Sequence, residues 1–352
     1  MMATLATALG LEAYAPALWM PLACMALLCA MLIGAVVFDG FDLGVGCLCA
    51  CAPAHLRARM LALLNPWRDA NEYWLLLGLG LFLTAFPHAV RPVLGSLTLP
   101  LTLLALGTLL RSVSFECHLR APATSRHAWQ ARLALGAWMV AISHGLLLAA
   151  FVIPFDTVSN RGWFSAFVAL GVTAAYCLSG ATWLVMREGG PLRQHATRWA
   201  RRAVRWAVAG AIGVCAVLGL TNPAVLLRWG GDLSWPVVTT LWLGMLMCVV
   251  TIEVTLKRRR GDRASALPFV LTLLMFLAVL GGLFYSVFPD FVLDAVTLWH
   301  GAASVATLRL VLSIFLVVLL VMAGFNLWVY RGMFGLSRPP QPPTYSEAGN
   351  RR

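Results

Sequence analysis

The feature that most limits this chain is a recurrence of apolar runs about 20 residues long, each sufficient as a helix to cross a hydrocarbon layer of about 30 Å. Inside such a layer no water satisfies a backbone N–H or C=O, so each run must close its hydrogen bonds within itself as a helix. Spans are read near residues 17–41, 73–92, 97–117, 131–153, 163–186, 204–227, 236–256, 266–288 and 305–331. The class that follows is an all-α polytopic membrane protein with about nine transmembrane helices. Only 11% of the 352 residues are charged, against about 25% in a soluble domain, and no stretch is left over for a soluble domain. The tail from Arg338 to Arg352, with its Pro339-Pro340-Gln341-Pro342-Pro343 run, reads as disordered. No Lys or Arg precedes the first apolar run and Glu12 lies there, which predicts a retained helix rather than a cleaved leader.

The formal charge of +12 raises nucleic acid as a partner, and the placement of the charge argues against it. Alternate connections hold three basic residues after the first span (Arg57, Arg59, Arg68), four around the end of the third (Arg111, Arg120, Arg126, Arg132) and six after the fifth (Arg187, Arg193, Arg198, Arg201, Arg202, Arg205). Five follow the seventh (Lys257, Arg258, Arg259, Arg260, Arg263) and four close the chain (Arg331, Arg338, Arg351, Arg352), so one set of connections holds 22 of 26. The opposite set holds Arg91, Arg161 and Arg228, with Arg309 at the start of the ninth span. The positive-inside rule then puts the 22-residue set in the cytoplasm, the amino end outside and the carboxyl end inside. The basic balance is topology and contact with lipid headgroups.

A charge within a span is costly, so each one is a functional candidate. Phe38-Asp39-Gly40-Phe41-Asp42-Leu43-Gly44-Val45-Gly46 ends the first span with two carboxylates three residues apart, on one helix face. Asn65-Pro66-Trp67-Arg68-Asp69-Ala70-Asn71-Glu72-Tyr73-Trp74 leads into the second, and Arg111-Ser112-Val113-Ser114-Phe115-Glu116 ends the third. All three clusters fall at the cytoplasmic boundary, where they can share one polar pocket suited to proton entry. The competing account, charges that anchor helix ends among headgroups, suits Arg57 and Arg59. It suits Asp39 less well, since that acid adjoins an apolar run with no cationic neighbour in sequence. Gly40 and Gly44 form a small-xxx-small pair that permits close helix contact. The glycines from Gly44 onward do not complete a dinucleotide fingerprint, and no strand precedes them.

Nine cysteines do not form a disulfide framework. Cys24, Cys29, Cys177, Cys215 and Cys248 sit in apolar runs as small hydrophobes, and Cys47-Leu48-Cys49-Ala50-Cys51 lacks the spacing of common zinc sites. Among seven histidines, His144 is the one clearly within a span. It is weighed as a haem ligand and read instead as a hydrogen-bonding residue between helices.

These motifs carry a resemblance. Asp39-Gly40-Phe41-Asp42-Leu43-Gly44-Val45-Gly46 resembles a signature of subunit II of cytochrome bd-type quinol oxidases. So do Pro66-Trp67-Arg68-Asp69-Ala70-Asn71-Glu72-Tyr73-Trp74, Leu83-Thr84-Ala85-Phe86-Pro87, Leu110 to Glu116, Gly180-Ala181-Thr182-Trp183-Leu184 and Tyr330 to Gly335. The match runs in order along the whole chain. Arg68 stands where that family has Trp, Ala70 where it has Gly, and His144 at a position often held by Gln, which marks a divergent member.

The resemblance implies two four-helix bundles, near residues 1–159 and 160–304, with the ninth helix peripheral and the tail completing 305–352. It implies a bacterial inner-membrane heterodimer with a haem-bearing subunit I, which carries haems b and d, the quinol site and the oxygen-reducing centre. It leaves room for a small accessory subunit and for a quinone or lipid against these helices. Catalysis would belong to the complex, with no cofactor ligated by this chain. Asp39, Asp42, Asp69 and Glu72 are the implied proton path. Arg68, Asn71, Trp74, Arg111, Glu116, Gly40 and Gly44 are the supporting polar and packing residues. The alternatives are a proton-coupled transporter, which would use the same acids, and a purely structural subunit whose acids have lost proton transfer because Arg68 pairs them permanently.

Overall fold

The computed structural model describes residues 14–64, 68–152, 161–232, 234–257, 266–292 and 296–334, together with Gly10 and Glu12. Helices α1 (Pro16–Phe38) and α2 (Gly40–Cys49) form one span, because the Asp39 N–H donates to the Ala35 carbonyl at 3.0 Å and the Asp39 carbonyl accepts from the Leu43 N–H at 2.9 Å. Then come α3 (Ala54–Ala62), α4 (Arg68–Ala85), α5 (Pro87–Ser96), α6 (Thr98–Arg120) and α7 (Ala123–Val152). The second half holds α8 (Arg161–Arg187), α9 (Gly190–Thr221), α10 (Pro223–Trp229), α11 (Trp235–Lys257) and α12 (Leu267–Val287). A small antiparallel hairpin, β1 (Asp290–Val292) and β2 (Val296–Thr297), leads to α13 (Leu298–Gly301) and α14 (Val305–Phe334). Among the described residues 8 helices are long and apolar enough to span a membrane, or 9 if a bent pair counts as one.

That bent pair corrects the expected second span. Between residues 71–85 and 87–95 the helix direction bends by 120° instead of running straight. Pro87 has no N–H to continue the ladder and restricts Phe86, which sits at φ −130, ψ 53. The carbonyl of Ala85 at this break accepts from the Ala303 N–H at 2.9 Å, so the loop before α14 satisfies a group that the helix no longer can.

The helices pack as two groups of four. α1 with α2, α4, α6 and α7 surround the first bundle, and α8, α9, α11 and α12 close the second. α2 is wedged against α7 and α8, and one apolar core containing Phe41, Leu133, Leu178, Trp183, Val204 and Phe269 runs through both groups. The expected boundary near residue 159 falls outside the described residues. α14 lies at the edge on α1 and α4, with only 11% of its apolar window buried against 61% for α8.

Two helix crossings, one between the bundles and one within the first, depend on missing side chains. A Cβ at Gly44 would strike the Tyr176 carbonyl of α8 and lie 2.8 Å from the Gly180 nitrogen. A Cβ at Gly136 of α7 would sit 2.7 Å from the Arg111 nitrogen of α6. Backbone therefore meets backbone at both crossings, and the second holds the residue around which the site is built.

Candidate functional site

Asp39 follows the 23 residues of α1, or about 34 Å of helical rise. That rise alone matches a hydrocarbon core of about 30 Å. Arg111 comes to Asp39 from α6. Its Nη2 donates to both carboxylate oxygens of Asp39, at 2.9 and 3.0 Å, and to Oε1 of Glu72 on α4 at 2.5 Å. The Ser112 hydroxyl lies 3.1 Å from Glu72 Oε1 and 3.2 Å from Oε2. Three spans are thus fastened by one guanidinium. Asp39 had no cation near it in sequence, and the fold supplies one from 72 positions away.

Exposure orders the cluster. Arg111 keeps 2% of its side chain accessible, while Asp39 and Glu72 keep 14% and 16%. The guanidinium forms the floor and the carboxylates form the edge. One helical turn beyond Asp39, Asp42 is almost wholly buried, and Asn71 Nδ2 donates to its Oδ2 at 3.1 Å. Residues three apart share a helix face, and Asp39 meets Arg111 of α6 while Asp42 meets Asn71 of α4.

The opposite face of this turn is apolar. Phe41 packs on Trp183 with ring centroids 4.4 Å apart, and Phe269 lies 5.2 Å from Trp183. Trp74, another expected packing residue, stacks on Phe38 at 5.2 Å and covers Gly34, where a Cβ would collide with its ring. Gly40 leaves room for the ring of Tyr176, which a Cβ would approach to 3.2 Å. The hydroxyl of Tyr176 is 3.1 Å from His144 Nδ1. His144 is therefore engaged between helices, the reading favoured over haem ligation.

Not every expected residue joins. Glu116 lies one turn past Arg111 on an exposed surface and pairs with Arg120 at 3.3 Å, outside the cluster. The backbone of Arg68 and Asp69 opens α4, and their side chains lie outside the described residues, as do Asn65, Pro66 and Trp67. Arg57 and Arg59, expected as simple headgroup anchors, have partners within the chain. Arg59 pairs with Glu188 at 2.6 Å, and Arg57 donates to the Ala52 carbonyl at 2.9 Å. Cys47 and Cys49 are buried and Cys51 is exposed.

Sequence reasoning passed over Ser112, Tyr176 and Gly136. Ser112 adjoins the singled-out Arg111, so its position was a usable signal. Tyr176 was a polar atom within an apolar run, one turn before the glycine that admits α2. Nothing in the sequence around Gly136 marks it.

A sequence profile of the family described as cytochrome bd terminal oxidase subunit II matches residues 20–333. Subunit 2 of the cytochrome bd-I ubiquinol oxidase of Escherichia coli K12 is 24% identical over 356 residues, covering 87% of this chain and 92% of that protein. Subunit 2 of the cytochrome bd ubiquinol oxidase of Bacillus subtilis 168 is 22% identical, with 91% and 97% covered. In three dimensions the chain is similar to a chain of the bd oxidase from Geobacillus thermodenitrificans. The TM-score is 0.74 at 16% identity, over 90% of this chain and 99% of that one.

Proposed function

Because this chain belongs to the cytochrome bd terminal oxidase subunit II family, we propose that its acids carry protons from the cytoplasm to a haem-bearing subunit I, where quinol is oxidised and oxygen is reduced to water. The observation that carries this reading is the gathering of Asp39 and Glu72 from two spans around Arg111 of a third, with Asp42 one turn from Asp39 and hydrogen-bonded to Asn71, the neighbour of Glu72. The proposed route starts at Asp69, passes Asp42 and Asn71, and reaches Asp39 and Glu72, whose carboxylates keep an accessible edge. Residues three or four apart on a helix stand about 5–6 Å from one another, within reach of a proton passed through an intervening water or hydroxyl. Taking protons from one side and releasing quinol protons on the other separates charge, worth about 2.3 kcal/mol per charge per 100 mV.

The haems, the quinol site and the oxygen chemistry belong in this reading to the partner. The residues of this chain supply a charged path and a docking body, and activity is a property of the complex. The arginine distribution supports an amino end outside and a carboxyl end in the cytoplasm of a bacterial inner membrane. The division into 1–159, 160–304 and 305–352 is retained as the proposed domain organisation. A transporter is less well supported, because the acids crowd one end of the first bundle instead of a midplane site between matched halves.

Asp42→Asn in the assembled oxidase is the direct test. Oxygen consumption is expected to fall about tenfold or more, in the range of lost general acid–base steps, while haem absorbance persists. Unchanged turnover would return these acids to a structural role, pinned by Arg111.

A further inference from the structure

A second concentration of charge lies in the other bundle. Arg198, Arg201, Arg202 and Arg205 on α9 stand three and four residues apart, on one face, and line a concavity of about 210 Å³. Among the described residues one acid reaches them. Glu253 of α11 is 3.5 Å from Arg201 Nε and 3.5 Å from Arg205 Nε. Four guanidiniums against one carboxylate leave three positive charges without a counter-charge in this group. The neighbouring segments of sequence are themselves net basic. Residues 258–265 hold four Arg and one Asp, and residues 335–352 hold three Arg and one Glu.

Depth narrows the ligand. The 32 residues of α9 extend about 48 Å, so about 18 Å of it stands beyond a 30 Å hydrocarbon core. Counted from Gly190, the boundary falls among these arginines. Arg198, Arg202 and Arg205 are exposed, and the same exposed line continues as Ala209, Ile212 and Ala216. Trp206, 54% exposed, adjoins the last arginine, where an indole prefers the interface. One helix face thus reads cationic for two turns and then apolar.

We propose that this face binds an anionic glycerophospholipid, with the phosphate held by the arginine cluster and the acyl chains along Ala209, Ile212 and Ala216. Guanidinium is the group best suited to phosphate oxygens. A zwitterionic lipid brings no net charge to offset the excess. A soluble phosphate leaves the apolar line uncovered. The inference is independent of proton transfer at Asp39.

The test uses the assembled membrane complex, stripped of lipid and titrated with phosphatidylglycerol, phosphatidylcholine or inorganic phosphate, with bound lipid counted by native mass spectrometry. The paired variant Arg198→Gln with Arg202→Gln leaves Arg201 and Arg205 on Glu253, so the contact between α9 and α11 survives. With about 1 kcal/mol for each basic residue near an anionic headgroup, phosphatidylglycerol affinity is expected to fall about tenfold or more in this variant. Arg120→Gln, which removes an exposed charge elsewhere, should leave it unchanged. Wild-type complex should also prefer phosphatidylglycerol to phosphatidylcholine by about tenfold or more, a comparison that needs no variant. Equal affinity for the two lipids, an unaffected double variant, or displacement of phosphatidylglycerol by millimolar inorganic phosphate would each overturn the proposal.

Discussion

Two groups of arginine, one in each bundle, show how differently the same side chain behaves with depth. Arg111 is 2% exposed and meets two carboxylates from two other spans. Arg201 and Arg205 keep 38% and 67% of their side chains accessible and share one acid between them. A guanidinium drawn out of water must have its charge answered by the protein, because solvation of several kcal/mol has been lost. One at the boundary keeps water and headgroups as partners, so the protein can leave it in excess. The first arrangement fixes helices to one another, and the second presents charge to the surroundings.

The largest expected effect tests the buried side of this contrast. Arg111→Gln leaves Asp39 and Glu72 without their cation, and breaking a buried pair from one side costs on the order of 3–5 kcal/mol. The purified complex should denature at clearly lower temperature and assemble poorly. A variant as stable as the parent would mean that Arg111 does not hold the three spans together. Arg111→Lys should recover part of the loss, since a single nitrogen, Nη2, makes all three contacts with the carboxylates.

The crossing that seats α2 against the second bundle should be next in size. Gly44→Val drives a side chain into the Tyr176 carbonyl and the Gly180 backbone, and overpacking of this kind costs about 1–3 kcal/mol. Loss of complex recovered from membranes is the readout, with Ala at the same position giving a smaller loss. The smallest effect belongs to the boundary. Glu253→Gln should cost less than Arg111→Gln, because Arg201 and Arg205 keep 38% and 67% of their side chains in reach of water although Glu253 keeps only 19%. The change should shrink further with added salt. Were its loss as damaging as that of Arg111, the contrast between the two groups would fail.

Much of the site was legible before the fold. The spacing of Asp39 and Asp42 placed them on one face, and their position at the end of an apolar run marked them as costly and therefore purposeful. Arg111 and Asn71 were singled out from short motifs, as were the acids, but which of them would pair was not. Glu116 shows the limit of sequence neighbourhood. It is five residues from Arg111, yet it faces away and pairs with Arg120. The bend at Phe86 was also missed, although Pro87 announced it. A window of apolar residues averages over a proline, whereas the backbone responds to its missing N–H.

By itself the sequence determined how many segments are apolar and long enough to span a bilayer, and where charge is permitted along them. Those properties follow from hydrogen bonds closed between residues four apart and from the cost of moving each side chain into hydrocarbon. Tertiary structure decided which cation answers which acid. Asp39 and Arg111 are 72 positions apart, in a packing where Gly136 admits the backbone of α6 to α7 and Gly44 admits that of α8 to α2. Such a meeting depends on the crossing of whole helices, which no local pattern encodes.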